Sequence, residues 1–310
     1  MPSEMRRRSV AAAKLAASGW APPRTTPPAF LRIGSGKTLL LGRDGLLAGL
    51  LRLRRLRVVK VAQAGLLVAA VGWLAVRGAE SMGYNWQWNR IPDYFYTIED
   101  GRFVAGPLLL GALETLVIAG WSLLLALGIG LGAAVLRLAD SFAGRKVAAG
   151  YVGLIRNTPL IVQLNLFYFI LSPVFDIGRL WTGILCLSVF EGAYASEIFR
   201  SGLLAVRKGQ WEAGASLGLS LFQTYRFIVI PQAVRMMLPP LTGVAVSLIK
   251  DSAIVSIIAL PELTTAARNA ISDSFMSFEI WFTVAAVYLL LTLSLSSLAS
   301  LLESRFKAKA

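Results

Sequence analysis

The sequence predicts an all-α membrane protein, a polytopic bundle of about six transmembrane helices. Three observations predict it. Of 310 residues, 56% are hydrophobic and only 15% are charged, a balance that soluble domains do not keep. Apolar runs recur at 58–76, 107–136, 152–173, 180–199, 238–260 and 280–302, each long enough for the roughly 20 residues that cross a hydrocarbon core, the second longer than needed. The connecting segments alternate between basic and mixed charge, as a fixed membrane orientation requires.

Positive charge orients the spans. Residues 1–57 carry Arg6, Arg7, Arg8, Lys14, Arg24, Arg32, Lys37, Arg43, Arg52, Arg54, Arg55 and Arg57 against Glu4 and Asp44. That segment is expected in the cytoplasm, mostly disordered, with Pro22-Pro23 and Pro27-Pro28 opposing regular structure. The stretch 78–106 mixes Glu80, Arg90, Asp93, Glu99, Asp100 and Arg102 and reads as external. Arg137, Arg145 and Lys146 place the next connector inside, as do Arg200, Arg207, Lys208, Arg226 and Arg235 for 200–237. Glu262, Asp273 and Glu279 against Arg268 place 261–279 outside, and Arg305, Lys307 and Lys309 return the tail inside. The expected divisions are 1–57, a first span and external loop at 58–106, a bundle of five spans at 107–305 and a short tail at 306–310. Both termini are expected in the cytoplasm of a multi-pass membrane protein.

Composition narrows the chemistry. With no His in the chain, imidazole bases and His-ligated metal sites are excluded. The single Cys186 lies in an apolar run, so no disulfide framework forms. The net charge of +14 is a topology determinant and a partner for anionic lipid rather than a nucleic-acid footprint. Gly34-Ser35-Gly36-Lys37-Thr38 mimics a phosphate loop, but position 31 is Leu31 and no nucleotide-binding fold follows. This chain is expected to bind no metal and no cofactor, and to have no catalytic residues.

The segment 210–231 is built as more than a connector. Glu212, Ala213 and Leu217 read as the first turns of a short helix, with Glu212 at its start and Gly218 as its stop. Ser220 and Gln223 form a capping box that opens a second short helix, ended by Pro231. The order Glu-Ala-Gly, three residues, Gly, nine residues, Ile-x-Ile-Pro resembles the EAA signature of the membrane subunits of ABC importers. Gly214 stands for the commoner Ala and Ile230 for Leu. Tyr151 to Phe169, YVGLIRNTPLIVQLNLFYF, and Phe190 to Leu203, FEGAYASEIFRSGL, together with Lys250-Asp251-Ser252, look like the polar amino acid permease branch of that family.

The resemblance covers roughly residues 107–305, the family's core of five spans, so the first span is an addition. It implies a permease subunit that moves polar amino acids, with a slight preference for the glutamate/aspartate type. The implied partners are a cytoplasmic ATPase dimer carrying ATP-Mg, a second permease subunit (identical or not), an extracytoplasmic amino-acid-binding protein and membrane lipid, but no nucleic acid. Glu212, Ala213, Gly214, Leu217, Gly218 and Pro231 would form the ATPase-coupling loop.

Charged residues inside spans mark function or partners, since each costs about 2.5–3.5 kcal/mol to insert. Glu191 lies mid-span beside Gly192, Ala193 and Ala195, whose small side chains admit another helix. It serves either a translocation path or an interhelical contact. Lys250 and Asp251 fall near the middle of the fifth span, where a broken or polar-lined helix is expected. With Glu191, and with Gln163 and Asn165 from the third span, they form one candidate path for a zwitterion. Glu197 is placed to pair with Arg200, three residues on. Arg156-Asn157-Thr158-Pro159 is expected to open the third span, with Asn157 or Thr158 as its cap. The alternative function is a proton- or sodium-coupled transporter, with Glu191 and Asp251 as coupling sites, and it leaves the 210–231 segment unexplained.

Overall fold

The computed structural model describes residues 83–308 continuously, with side chains to 301, and scattered positions between 63 and 81. Residues 1–62, including the Gly34–Thr38 stretch, lie outside the described residues. The chain divides into two units, 1–84 and 85–310. In the first, Gly65–Gly78 is an apolar helix, and the rest of the expected 58–76 span falls outside the described residues.

The second unit is mainly helical. A 3-10 helix, Trp88–Tyr94, leads into strands β1 (Tyr96–Glu99) and β2 (Arg102–Ala105), paired antiparallel with Ile98 opposite Phe103. Asp100 and Gly101 both have positive φ, 50° and 72°. Asp-Gly is the pair that a tight two-residue hairpin turn demands. Gly106 then starts α1 (Pro107–Leu138), with Pro107 in the first turn, where its missing N–H is harmless. Here a glycine is obligatory, because a Cβ on Gly106 would sit 2.4 Å from the Tyr94 carbonyl oxygen.

The expected third span is broken. α2 (Phe142–Arg156) and α3 (Leu160–Phe175) meet at 109°. Pro159 is the cause: it disfavours helical backbone at Thr158, and its own φ, ψ of −63°, 137° are extended. Asn157 and Thr158 do not cap α3. Their side chains donate back to the carbonyls of Gly153 (2.7 Å) and Leu154 (3.0 Å), closing α2 instead.

The expected fourth span forms α4 (Arg179–Leu204), which by length and composition is not among the helices apolar enough to cross a membrane. α5 (Lys208–Ser216) follows, then α6 (Leu221–Ile258), one 38-residue helix. The expected stop at Pro231 is absent. A π turn over Tyr225–Val229 re-registers the backbone just before it, and the helix continues through Pro231. α6 tightens to 3-10 geometry at Ser252–Ile258, so Lys250 and Asp251 lie where the α-helix ends rather than in its middle. α7 (Leu263–Ser274) and α8 (Ser277–Ala308) complete the chain. Among the described residues, α1, α6 and α8 are each long and apolar enough to cross a membrane, and α2 with α3 qualifies as one bent span.

α1 packs on α4 through small residues. A Cβ on Gly130 would meet the Ala195 Cβ at 2.7 Å and the Gly192 carbonyl oxygen at 2.9 Å. Such contacts replace the hydrophobic drive that lipid removes. Ile118, Ile184, Leu187, Leu248 and Val255 form the main core. A second cluster of Leu108, Leu263, Met276 and Ile280 seals the end where α1 begins.

Glu262 fixes that end. Its carboxylate accepts from the Thr264 and Thr265 N–H groups, each at 2.8 Å, and from the Tyr288 hydroxyl at 2.9 Å. Burial pushes its carboxyl above the usual range, against the opposing pull of these donors.

Gly130→Val overpacks the α1–α4 contact and should cost about 1–3 kcal/mol, read as a lower thermal unfolding midpoint in detergent. Gly128→Val, where a Cβ meets nothing within 4 Å, is the control and should leave the midpoint in place. Equal midpoints for both would show that the close approach is not limiting.

Candidate functional site

Two features stand apart from the packing: a short helical hairpin at one end and a cavity between α4 and α6 that mixes charged and apolar side chains.

In the hairpin, α5 closes at Gly218, whose φ of 72° is the left-handed conformation that glycine adopts freely. The Gly218 N–H donates to Ala215 O and the Leu219 N–H to Gly214 O, satisfying the final carbonyls. Ser220 and Gln223 then form the capping box, with bonds of 2.8 and 3.3 Å.

The inward face of α5 is pinned to α6. A Cβ on Gly214 would lie 2.9 Å from the Thr224 side chain and 3.2 Å from Ile228. Trp211 meets Tyr225 edge-on at 4.9 Å, and Gln232 donates to Gln210 at 3.0 Å. Gly214 is thus buried against its own chain and is not free for an outside contact. Glu212 sits in the middle of α5 and not in its first turn, because the helix already starts at Lys208. Ala213 and Leu217 are exposed, and so are Leu221 and Phe222, at 70% and 73%. These last two escaped the sequence reading. Their signal is an adjacent apolar pair in the first turn after the Ser220 cap.

The cavity, of about 560 Å³, is lined by Arg156 at the end of α2, by Phe190, Glu191, Tyr194, Glu197 and Ile198 of α4, and by Pro240, Gly243, Val244, Ser247 and Asp251 of α6. On each helix these positions recur every three or four residues, so each presents one face. Glu191 is only 4% exposed, and its side chain touches that of Asp251. Two carboxyls in contact repel unless a proton or a cation is shared between them. Lys250 is exposed beside them and is not a lining residue.

At the other end of the cavity Glu197 gathers three arginines. Arg137 of α1 bonds its Oε1. Arg200 donates to Oε2 from Nε and Nη2 at 3.1 and 3.0 Å. Arg156 approaches to 3.9 Å and lies 5.1 Å over the Tyr194 ring. The Arg200 pairing follows from i,i+3 spacing, whereas Arg137 and Arg156 come from other helices; in sequence Arg137 reads as a topology charge and Arg156 as part of the opening of the third span.

Gln163 and Asn165 do not join this group. Gln163 donates to Ile155 O (2.8 Å), Thr158 O (3.1 Å) and Thr158 Oγ1 (2.7 Å), bracing the α2–α3 break. Asn165 donates to Ile161 O within its own helix. The five-residue grouping therefore divides into a Glu191–Asp251 pair with Lys250 adjacent, and two side chains that serve α3.

Apolar helices around a cavity with charged lining residues, and a helical hairpin braced against one of them, are the architecture of a membrane transport component. Residues 125–308 match the family of binding-protein-dependent transport system inner membrane components, and the chain belongs to that family. It is similar to the glutamine transport system permease protein GlnP of Escherichia coli K12, 38% identical over 205 residues, 65% of this chain and 94% of that one. The probable glutamine ABC transporter permease protein GlnP of Bacillus subtilis is 39% identical over 199 residues, 63% of this chain and 91% of the relative. Among solved structures, a crystal structure of an amino acid ABC transporter with histidines superposes with a TM-score of 0.61 at 34% identity, covering 64% of this chain and 94% of that one.

Glu197→Gln keeps the shape but removes the charge that holds three arginines. Charge-assisted hydrogen bonds are worth about 1.5–3 kcal/mol, so the unfolding midpoint should fall clearly. Arg200→Gln, which deletes only the neighbour on the same helix, should cost less. The reverse order would move the weight of the network from between helices to within α4.

Proposed function

We propose that this chain is the permease subunit of an ABC importer for polar amino acids. It works with a cytoplasmic ATPase dimer that binds ATP-Mg, a second permease subunit and an extracytoplasmic binding protein, and it has no ATPase site of its own. The membrane is the bacterial inner membrane, with the α5 hairpin and both termini on the cytoplasmic side, where the basic connectors belong.

The observation that carries this reading is the construction of the hairpin. α5 is locked to the first turns of α6 by Gly214 against Thr224, while Glu212, Ala213, Leu217, Leu221 and Phe222 face outward. The same unbroken α6 carries Asp251 near its far end. A push delivered to the hairpin by a partner therefore reaches the cavity through one rigid element.

The cavity suits a zwitterion. The Glu191–Asp251 end receives an α-ammonium group, and Arg156 at the opposite end receives an α-carboxylate. A further negative side chain finds only Glu191, Asp251 and Glu197 beside that arginine. This favours a neutral polar side chain such as glutamine over glutamate or aspartate, in line with the names of the two glutamine permeases above. Lys250, adjacent and exposed, tunes the field at the acidic end. A coupled-ion mechanism is the second reading, and the contact between the two carboxyls is what favours it.

Gly218→Val forces a branched residue into left-handed backbone and misplaces the outward face of α5. Membrane insertion should persist while ATP-driven uptake falls at least about tenfold, the loss expected when an interface anchor worth about 1.4 kcal/mol is removed. Normal uptake with this variant would remove the docking role. Glu191→Gln should slow import about tenfold or more, by loss of a charge-assisted contact, and unchanged kinetics would leave Glu191 a purely interhelical contact.

A further inference from the structure

The β1–β2 hairpin precedes the matched family region, which begins at residue 125, and nothing in the transport cycle uses it. Its register makes it two-faced. Residues opposite each other across the strands share a face, so Tyr96, Ile98, Phe103 and Ala105 lie on one side and Thr97, Glu99, Arg102 and Val104 on the other. On the first face Tyr96, Ile98 and Phe103 are 47%, 71% and 66% exposed, and Tyr96 stacks on Phe103 at 6.0 Å. A soluble surface does not normally leave such a patch bare.

The position of the hairpin says what covers it. The Gly106 N–H donates to Phe95 O at 2.8 Å, and Gly106 has no room for a side chain against Tyr94. The hairpin base is therefore held one residue from Pro107, the first residue of a span. Below it Leu110 and Leu113, each 50% exposed, begin the outward apolar surface of that span. On the same end Trp88, itself 48% exposed, lies 6.4 Å from Phe282 of α8, 59% exposed. The Gln87 N–H donates to Glu279 at 2.6 Å, tying this aromatic group to the start of α8. Exposed Trp, Tyr and Phe at the ends of spans are the mark of the lipid headgroup layer.

We propose that the 96–105 hairpin is an interfacial membrane anchor. Its Tyr96–Ile98–Phe103 face continues the lipid-facing surface of α1 into the headgroup region, and its Thr97–Glu99–Arg102 face stays in water. The hairpin adds an amphipathic foot at the level where α1 and α8 enter the bilayer.

Nitroxide labels test this on the full chain in nanodiscs of phosphatidylethanolamine and phosphatidylglycerol. Ile98→Cys, Phe103→Cys and Glu99→Cys replace exposed residues, and the native Cys186 is fully buried and out of reach of the label. Labels at 98 and 103 should collide more with dissolved oxygen than with a water-soluble nickel chelate, and the label at 99 should do the reverse. Water-like collisions at all three positions would overturn the proposal. So would labels at 98 and 103 that are water-like alone and shielded from both reagents only when an extracytoplasmic binding protein is added, since the face would then be a protein dock.

Discussion

The close approach of α1 and α4 is the constraint on which the rest of the structure depends. Inside a bilayer, two helices gain little by hiding apolar side chains from each other, because lipid is equally apolar. Gly130 against Ala195 and Gly192 brings the backbones near enough for dispersion and backbone contact to hold them. This sets the rotation of α4. With Gly192 and Ala195 turned to α1, Glu191 and Tyr194 turn toward α6, and the cavity is the space left between. Arg137 of α1 then reaches Glu197 on α4, so the same contact builds the ionic network at one end of the cavity.

The second constraint is mechanical. A proline in the interior of a helix normally kinks or ends it, and α6 contains Pro231, Pro239 and Pro240. The π turn before Pro231 keeps the helix continuous from the hairpin to the acidic end of the cavity. The α2–α3 elbow is the opposite device. There Pro159 breaks the chain, and Gln163 braces the bend with three bonds to Ile155 and Thr158. One proline thus lies within a rigid rod and another makes a corner. The difference lies in the backbone around each, since Pro159 is itself extended whereas Ile230 before Pro231 stays helical.

Features set by local chemistry were legible in the sequence. The α1, α6 and α8 spans follow from apolar length, the stop at Gly218 from left-handed backbone, and the Ser220–Gln223 box from two reciprocal bonds. The Glu197–Arg200 pair follows from helix spacing. What escaped depended on neighbours distant in sequence or on helix phase. Gly214 looked available to an outside partner until Thr224 and Ile228 were placed against it. Arg137 and Arg156 looked like orientation signals until three helices brought them to Glu197. Gln163 was polar in a span, as a path residue is, but its amide nitrogen is spent on a break that a continuous helix would not need. The Asp100-Gly101 turn was readable by its own chemistry, and the charges around it obscured the alternating Tyr96, Ile98 and Phe103.

The central claim is that the energy for movement through the cavity enters at the α5 hairpin from a separate ATPase. The most direct measurement is amino acid uptake into liposomes holding this chain with the ATPase, second permease subunit and binding protein proposed for it. The energy source is varied: internal ATP alone, or an imposed proton or sodium gradient alone. The account predicts glutamine uptake with ATP and none with either gradient. Uptake driven by a gradient in the absence of ATP would contradict it, and would make the Glu191–Asp251 pair the place where the driving ion binds.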